Sequence, residues 1–267
     1  MIHSVRKDNS MKNLKRTVGA VLASIVLGIT AVPAEPTEVI VRVLSKDAKF
    51  VGTSMGGVRI NLTDVETGEL LATGLTTGST GDTGKIMKSD RKRNVAISTD
   101  GSARFSAMLD IDRPVLVEAR AFGPLGQRQS ANTVSSTMWV VPGRPVSGGD
   151  GWVLQLAGFS VDVLAPPGHI KMSGIPMDVE VRANITMMCG CPIEPDGLWD
   201  ANRFEVAILL ERNGETAGTI PMEYAGSTSQ FKGLIQVTEP GAYQVTVFAH
   251  DPGNGNTGLD RTTFIAK

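Results

Sequence analysis

Four sulfur atoms fall within five residues in the run Met187-Met188-Cys189-Gly190-Cys191-Pro192, the strongest chemical feature of the chain. Thioether and thiolate sulfurs are soft, polarizable donors, which selects Cu(I), with Zn(II) a weaker fit. Gly190 lets the backbone bend so that both cysteine sulfurs can point to one side, and Pro192 stiffens the exit. Two thiolates need further ligands to close a site. The histidines outside the N-terminal segment, His169 and His250, supply imidazoles that suit copper and zinc alike. The first expectation is therefore a metal site of Cys189, Cys191, His169 and His250, with Met187 or Met188 as a weak extra ligand. Two other readings use the same residues. One is a readily reduced Cys189–Cys191 bridge with a redox role or a bond to a partner, and the other is plain packing of the sulfurs. A bridge across one glycine closes too small a ring to restrict the unfolded chain strongly.

Other constellations are weaker. Asp251, Asn254, Asn256 and Asp260 offer hard oxygen ligands of the kind Ca(II) takes. Their spacing departs from an EF-hand loop, and Asn and Gly are ordinary turn residues, so a turn is the expectation there. A cysteine nucleophile would need His169 or His250 as its base. The carboxylate pairs Glu194/Asp196 and Asp110/Asp112 fall on polar strand ends or loops. Gly78 to Lys85 imitates a phosphate loop, but Ile86 stands where Ser or Thr is required and no helical pattern follows. With no nucleophile elbow, haem-attachment motif or dinucleotide loop, a non-enzymatic protein is expected.

The elements that must position these residues read as strands. Val39, Val41 and Val43 alternate with Glu38, Ile40 and Arg42, and Val58 to Leu62 repeats the pattern. Later runs at Ala103–Leu109, Val115–Phe122, Ser136–Val141 and Trp152–Leu164 are separated by Gly, Asp and Pro turns. Between residues 73 and 101 lies a long Gly/Thr-rich loop carrying Lys85, Lys88, Arg91, Lys92 and Arg93. It reads as a solvated hairpin loop or, more sharply, as a docking loop for an acidic partner. Ala165-Pro166-Pro167-Gly168 marks a stiff linker. Beyond it, strands are expected at 169–172, 177–186, 204–211, 216–222, 230–237, 242–250 and 260–266, with a tight turn at Asn213-Gly214. The expected fold is all-β: two tandem antiparallel β-sandwich (immunoglobulin-like) domains, 35–165 and 166–267, after an N-terminal signal peptide, 1–34.

That leader follows from Arg6, Lys7, Lys12, Lys15 and Arg16 ahead of the apolar run Thr17–Val32 and the cleavage pattern Val32-Pro33-Ala34. The run is shorter than the roughly 20 residues needed to span a bilayer, so contact with the membrane is expected only during export. A periplasmic or secreted location follows. Without the leader the chain holds 21 basic against 26 acidic groups, a net charge of −5, which gives no reason to expect nucleic acid. A protein partner in the envelope or extracellular space is expected instead.

The stretch Pro240-Gly241-Ala242-Tyr243-Gln244-Val245-Thr246-Val247-Phe248-Ala249-His250-Asp251 resembles the sixth strand of bacterial immunoglobulin-like repeats, and Asp251-Pro252-Gly253-Asn254 is similar to the turn that follows it. The resemblance implies that Tyr243 is a corner tyrosine whose hydroxyl bonds back to the chain. More loosely, Gly57-Val58-Arg59-Ile60 with Thr67-Gly68 resembles the transthyretin-like modules of carboxypeptidase regulatory regions. Neither resemblance accounts for the insert Met187–Trp199. In an immunoglobulin-like sandwich the loops after the second and sixth strands emerge at the same end as the start of the first strand. That topology is expected to gather Cys189, Cys191, His250 and His169 at one end of the second domain, beside the linker.

Overall fold

A computed structural model describes residues 34–267; the leader, apart from Ala34, lies outside the described residues. The described residues form sixteen strands in four sheets around two main cores.

The first seven strands are β1 (Glu35–Ser45), β2 (Arg59–Asp64), β3 (Leu70–Leu75), β4 (Phe105–Ile111), β5 (Val115–Gly123), β6 (Asn132–Val140) and β7 (Trp152–Leu156). They pair as β4-β1-β7 and β3-β2-β5-β6, with β1 and β7 parallel. Val39, Val41 and Val43 point into the core between these sheets, as their alternation requires. An immunoglobulin-like order would set β1 beside β2. Here β1 lies between β4 and β7, so the first sandwich departs from that expectation.

The other face of β1 is also covered. Ile40, Arg42 and Leu44 are all buried, although alternation alone would leave them in water. Ile40 lies under the connection between β6 and β7, against Gly151, and Arg42 and Leu44 lie under the segment between β3 and β4, expected to be solvated. It folds back over the sheet, pairing Thr77 with Arg104 and Ser79 with Ser102, and builds a small third core of Leu44, Phe50, Ile86 and Ala103. Arg42 is enclosed there, donating to the carbonyls of Ser102 and Ala103 (both 3.2 Å) with its guanidinium 5.9 Å from the Phe50 ring centroid. Asp150 ties down the segment's far side, accepting from the backbone N–H of Ile97 (3.0 Å) and Ser98 (2.8 Å).

The run Trp152–Leu164, expected to be one strand, is two. It breaks at Gly158, whose φ of +137° lies in a region that side chains rarely adopt. After the break, β8 (Phe159–Ala165) pairs with β10 (Met177–Met187) rather than with the first sandwich. The pairing therefore changes sandwiches ahead of the Ala165–Gly168 linker. Alternation could not reveal this, because residues on both sides of the break are buried.

The remaining strands are β9 (Ile170–Met172), β11 (Glu205–Arg212), β12 (Glu215–Pro221), β13 (Glu223–Tyr224), β14 (Gln230–Val237), β15 (Gly241–Asp251) and β16 (Asn256–Ala266). They complete the sheets β13-β14-β10-β8 and β12-β11-β15-β16-β9. With β8 as the first strand, the order is that of an immunoglobulin-like sandwich with an extra strand beside the third, and β9 runs parallel to β16. The Tyr243 hydroxyl donates to the Glu239 carbonyl at 2.8 Å, forming the expected corner.

Candidate functional site

Strand alternation decides where the four sulfurs go. Along β10, Val179, Val181, Ala183, Ile185 and Met187 face the core of the second sandwich. Met188, the next residue, must point the other way, and there it enters the core of the first sandwich. Adjacent methionines, 1% and 0% exposed, thus belong to different cores. Each buried thioether side chain contributes about 1.5–3 kcal/mol, so the pair fastens the sandwiches together. Both sulfurs are packing groups.

The chain then turns tightly. Gly190 N–H donates to the Met187 carbonyl (2.7 Å) and Met187 N–H to the Cys191 carbonyl (3.1 Å), with Gly190 at a φ of +77°. Cys189 and Cys191, 1% and 4% exposed, are joined in a disulfide with their Cα atoms 5.4 Å apart. Met55 of the first sandwich packs on the turn: a Cβ at position 190 would lie 2.7 Å from its Sδ.

The rest of the insert extends the junction. Trp199, 6% exposed, donates from its indole nitrogen to the Asp47 carbonyl at 2.8 Å. Its loop is held by Asp200, whose Oδ1 accepts from the backbone N–H of Asp196 and Asn202. Those hydrogen bonds, from Asn202 and then Asp196, hold the Asp200 carboxyl below the usual carboxylate range. Lys46 reaches across to the Asn254 carbonyl at 2.7 Å. The loops after β10 and after β15 therefore meet the same Lys46–Asp47 turn. Asp47, at a φ of +53°, has its carboxyl raised by loss of hydration and then by the neighbouring Asp251, against Arg203, Arg91 and Lys46.

The expected ligand set is only partly brought together. His250 ends β15 at the junction end, its Nδ1 3.0 Å from Thr257 Oγ1. His169 is exposed at the opposite end, where its N–H donates to the Thr263 carbonyl. Thr257 and Thr263 are six positions apart on β16, a separation of about 20 Å. The topological rule holds, but the strand that begins at the junction end is β8, and His169 precedes β9. Among the described residues no three His, Cys, Asp or Glu side chains converge as a metal-binding group. The oxygen donors of the 251–260 loop serve the fold. Asp251 accepts from Gly253 N–H and Asn254 Nδ2, Asn256 exchanges two hydrogen bonds with Gly158, and Asp260 accepts from Val163 N–H. Sequence reasoning missed Asp47, Asp150 and the partnering of Trp199; a tryptophan in an insert that no strand pattern explains was the one available signal.

No protein-family profile matches the chain, and no curated protein does. Among solved structures, it is similar to fibronectin(III)-like modules of Clostridium thermocellum CbhA (13% identity, 90% of this chain and 92% of that one, TM-score 0.29). It is also similar to the titin Ig tandem domains A164-A165 (11% identity, 88% and 97%, TM-score 0.25). An engineered protein matches at 16% identity over 45% of this chain and 22% of its own length, with a TM-score of 0.31. At such TM-scores these likenesses carry no argument, and the fold stands on its own strand pairing.

Proposed function

We propose that the protein is a non-enzymatic structural or interaction module, exported to the periplasm or beyond, in which two tandem β-sandwich domains act as one rigid unit for a protein partner. The observation that carries this reading is the split of Met187 and Met188 between two cores, with Trp199 reaching Asp47. An insert built this way fixes one sandwich on the other, which suits a surface presented to a partner more than a flexible tether. The basic and apolar leader residues support export. A disulfide between the only two cysteines is in keeping with an oxidising compartment.

Copper binding through Cys189 and Cys191 would require the reduced form, because soft-metal ligation uses the thiolate. Calorimetric unfolding combined with anaerobic Cu(I) loading and elemental analysis separates the readings. The expected result is a single unfolding transition and no copper retained after desalting, either before or after reduction. About one copper per chain on the reduced protein, abolished in Cys189→Ser/Cys191→Ser, would replace the module reading with the metal one. Two separate transitions would remove the rigid unit.

A further inference from the structure

The segment between β3 and β4 has an anchored stem and a charged tip. On the stem, Ile86 is 2% exposed in the small third core, Lys85 Nζ donates to the Ser98 carbonyl at 2.7 Å, and Asp150 holds Ile97 and Ser98. Every residue of the tip, Lys88 to Arg93, is exposed. It carries Lys88, Arg91, Lys92 and Arg93 against Asp90 alone, and none of these four cations forms an ion pair among the described residues. Beneath the tip, Met87, Ser89 and Arg91 face Lys46, Asp47, Gln155 and Asn254 across a cleft of about 410 Å³, which opens where the two sandwiches meet and holds two cations against one carboxylate.

We infer that this basic tip and the cleft below it dock a short acidic peptide segment of a partner protein. The inference rests on the interaction-module reading and names the chemistry of its partner. Charge complementarity selects an acidic ligand. Outside the leader and the tip the chain holds 17 basic against 25 acidic groups, so an extended anionic surface would bring many like charges together. A short acidic segment reaches the tip without meeting that body. Lys46 and Arg91 outnumber Asp47 on the cleft's rim, whereas seating on a lipid surface calls for an exposed apolar wedge, and the tip from Lys88 to Arg93 holds no apolar residue. The fixed stem lowers the ordering cost that a free loop would carry.

The test is fluorescence anisotropy of a labelled hexaglutamate peptide titrated with the purified chain in about 50 mM and about 300 mM salt. The expected result is salt-sensitive binding that weakens at least about tenfold in Lys88→Ala/Arg91→Ala/Lys92→Ala/Arg93→Ala. It should persist in Arg59→Ala/Arg120→Ala/Lys171→Ala/Arg261→Ala, which removes as much charge elsewhere. Equal weakening in both variants, no binding by the parent chain, or binding to phosphatidylserine vesicles without binding to the peptide would overturn the inference. The module reading fails separately, on split unfolding or retained copper.

Discussion

Both sandwiches carry one long irregular insertion, and the two are built in opposite ways. The segment between β3 and β4 is rich in charge and in small residues, and it lies back over its own sheet. It encloses a single cation, Arg42, and leaves four others in solvent. The insert after β10 is rich in sulfur and apolar residues; Cys189, Cys191, Ile193 and Trp199 pack in the core of its own sandwich, and Met188 reaches into the other. The residues that look reactive in the sequence, Cys189, Cys191, Met187 and Met188, are the ones the fold hides. The residues that look merely soluble, Lys88 to Arg93, are the ones it displays. Chemical reactivity of a residue type is therefore a poor guide to function until its exposure is known.

Truncating the anchor of the second insertion should give the largest effect. Trp199→Ala removes a buried indole and its hydrogen bond to Asp47, and is expected to cost about 3–5 kcal/mol in denaturant unfolding. It should also separate the transitions of the two sandwiches, because the insert would then hold the junction only through Met188 and the Gly190 turn against Met55. A cost under about 1 kcal/mol would mean that the junction is made elsewhere, and the contrast between the insertions would collapse.

A smaller effect is expected at the turn itself. Gly190→Ala places a side chain at a left-handed φ and against Met55, with an expected loss of about 1–3 kcal/mol. Combining it with Met55→Ala relieves the contact but not the backbone, so the double variant should be less destabilised than the two single losses added together. Strict additivity, read from the denaturation midpoints, would show that Met55 does not press on the turn.

Much of the second sandwich was legible in the sequence. Its alternating runs, the Asn213-Gly214 turn and the corner at Tyr243 each depend on neighbours a few residues away. The failures share one cause. Alternation reports that a strand has two faces but not what covers them, so the burial of Ile40, Arg42 and Leu44 under two remote loops was invisible. For the same reason Met188 could not be assigned to the first core, nor β8 to the second sandwich. His169 was placed at the wrong end through a correct rule applied to the wrong first strand.

The smallest effect sharpens the comparison through pH, because Asp150, which ties down the first insertion, and Asp47, which meets the second, are shifted in opposite directions. For Asp150, burial works against the charge, but hydrogen bonds from Ile97 and Ser98 and the nearby Arg42 guanidinium outweigh it and hold the carboxyl below its ordinary value. Its contribution to stability is present above the unfolded carboxylate value of about 3.9 and is lost as pH falls through the lower folded one. Asp47 at the junction is raised, so its contribution is fully present below about 3.9 and is lost as pH rises through the higher folded value. Mild acid should therefore relax the junction's like-charge contact with Asp251 before it loosens the loop. Asp47→Asn should raise the denaturation midpoint at neutral pH, with the gain vanishing in acid. Asp150→Asn should lower it at neutral pH and speed tryptic cleavage at the Lys88–Arg93 tip, with a loss that fades in acid. Parallel pH profiles for the two variants would mean that the charges of the loop and the junction are not set independently.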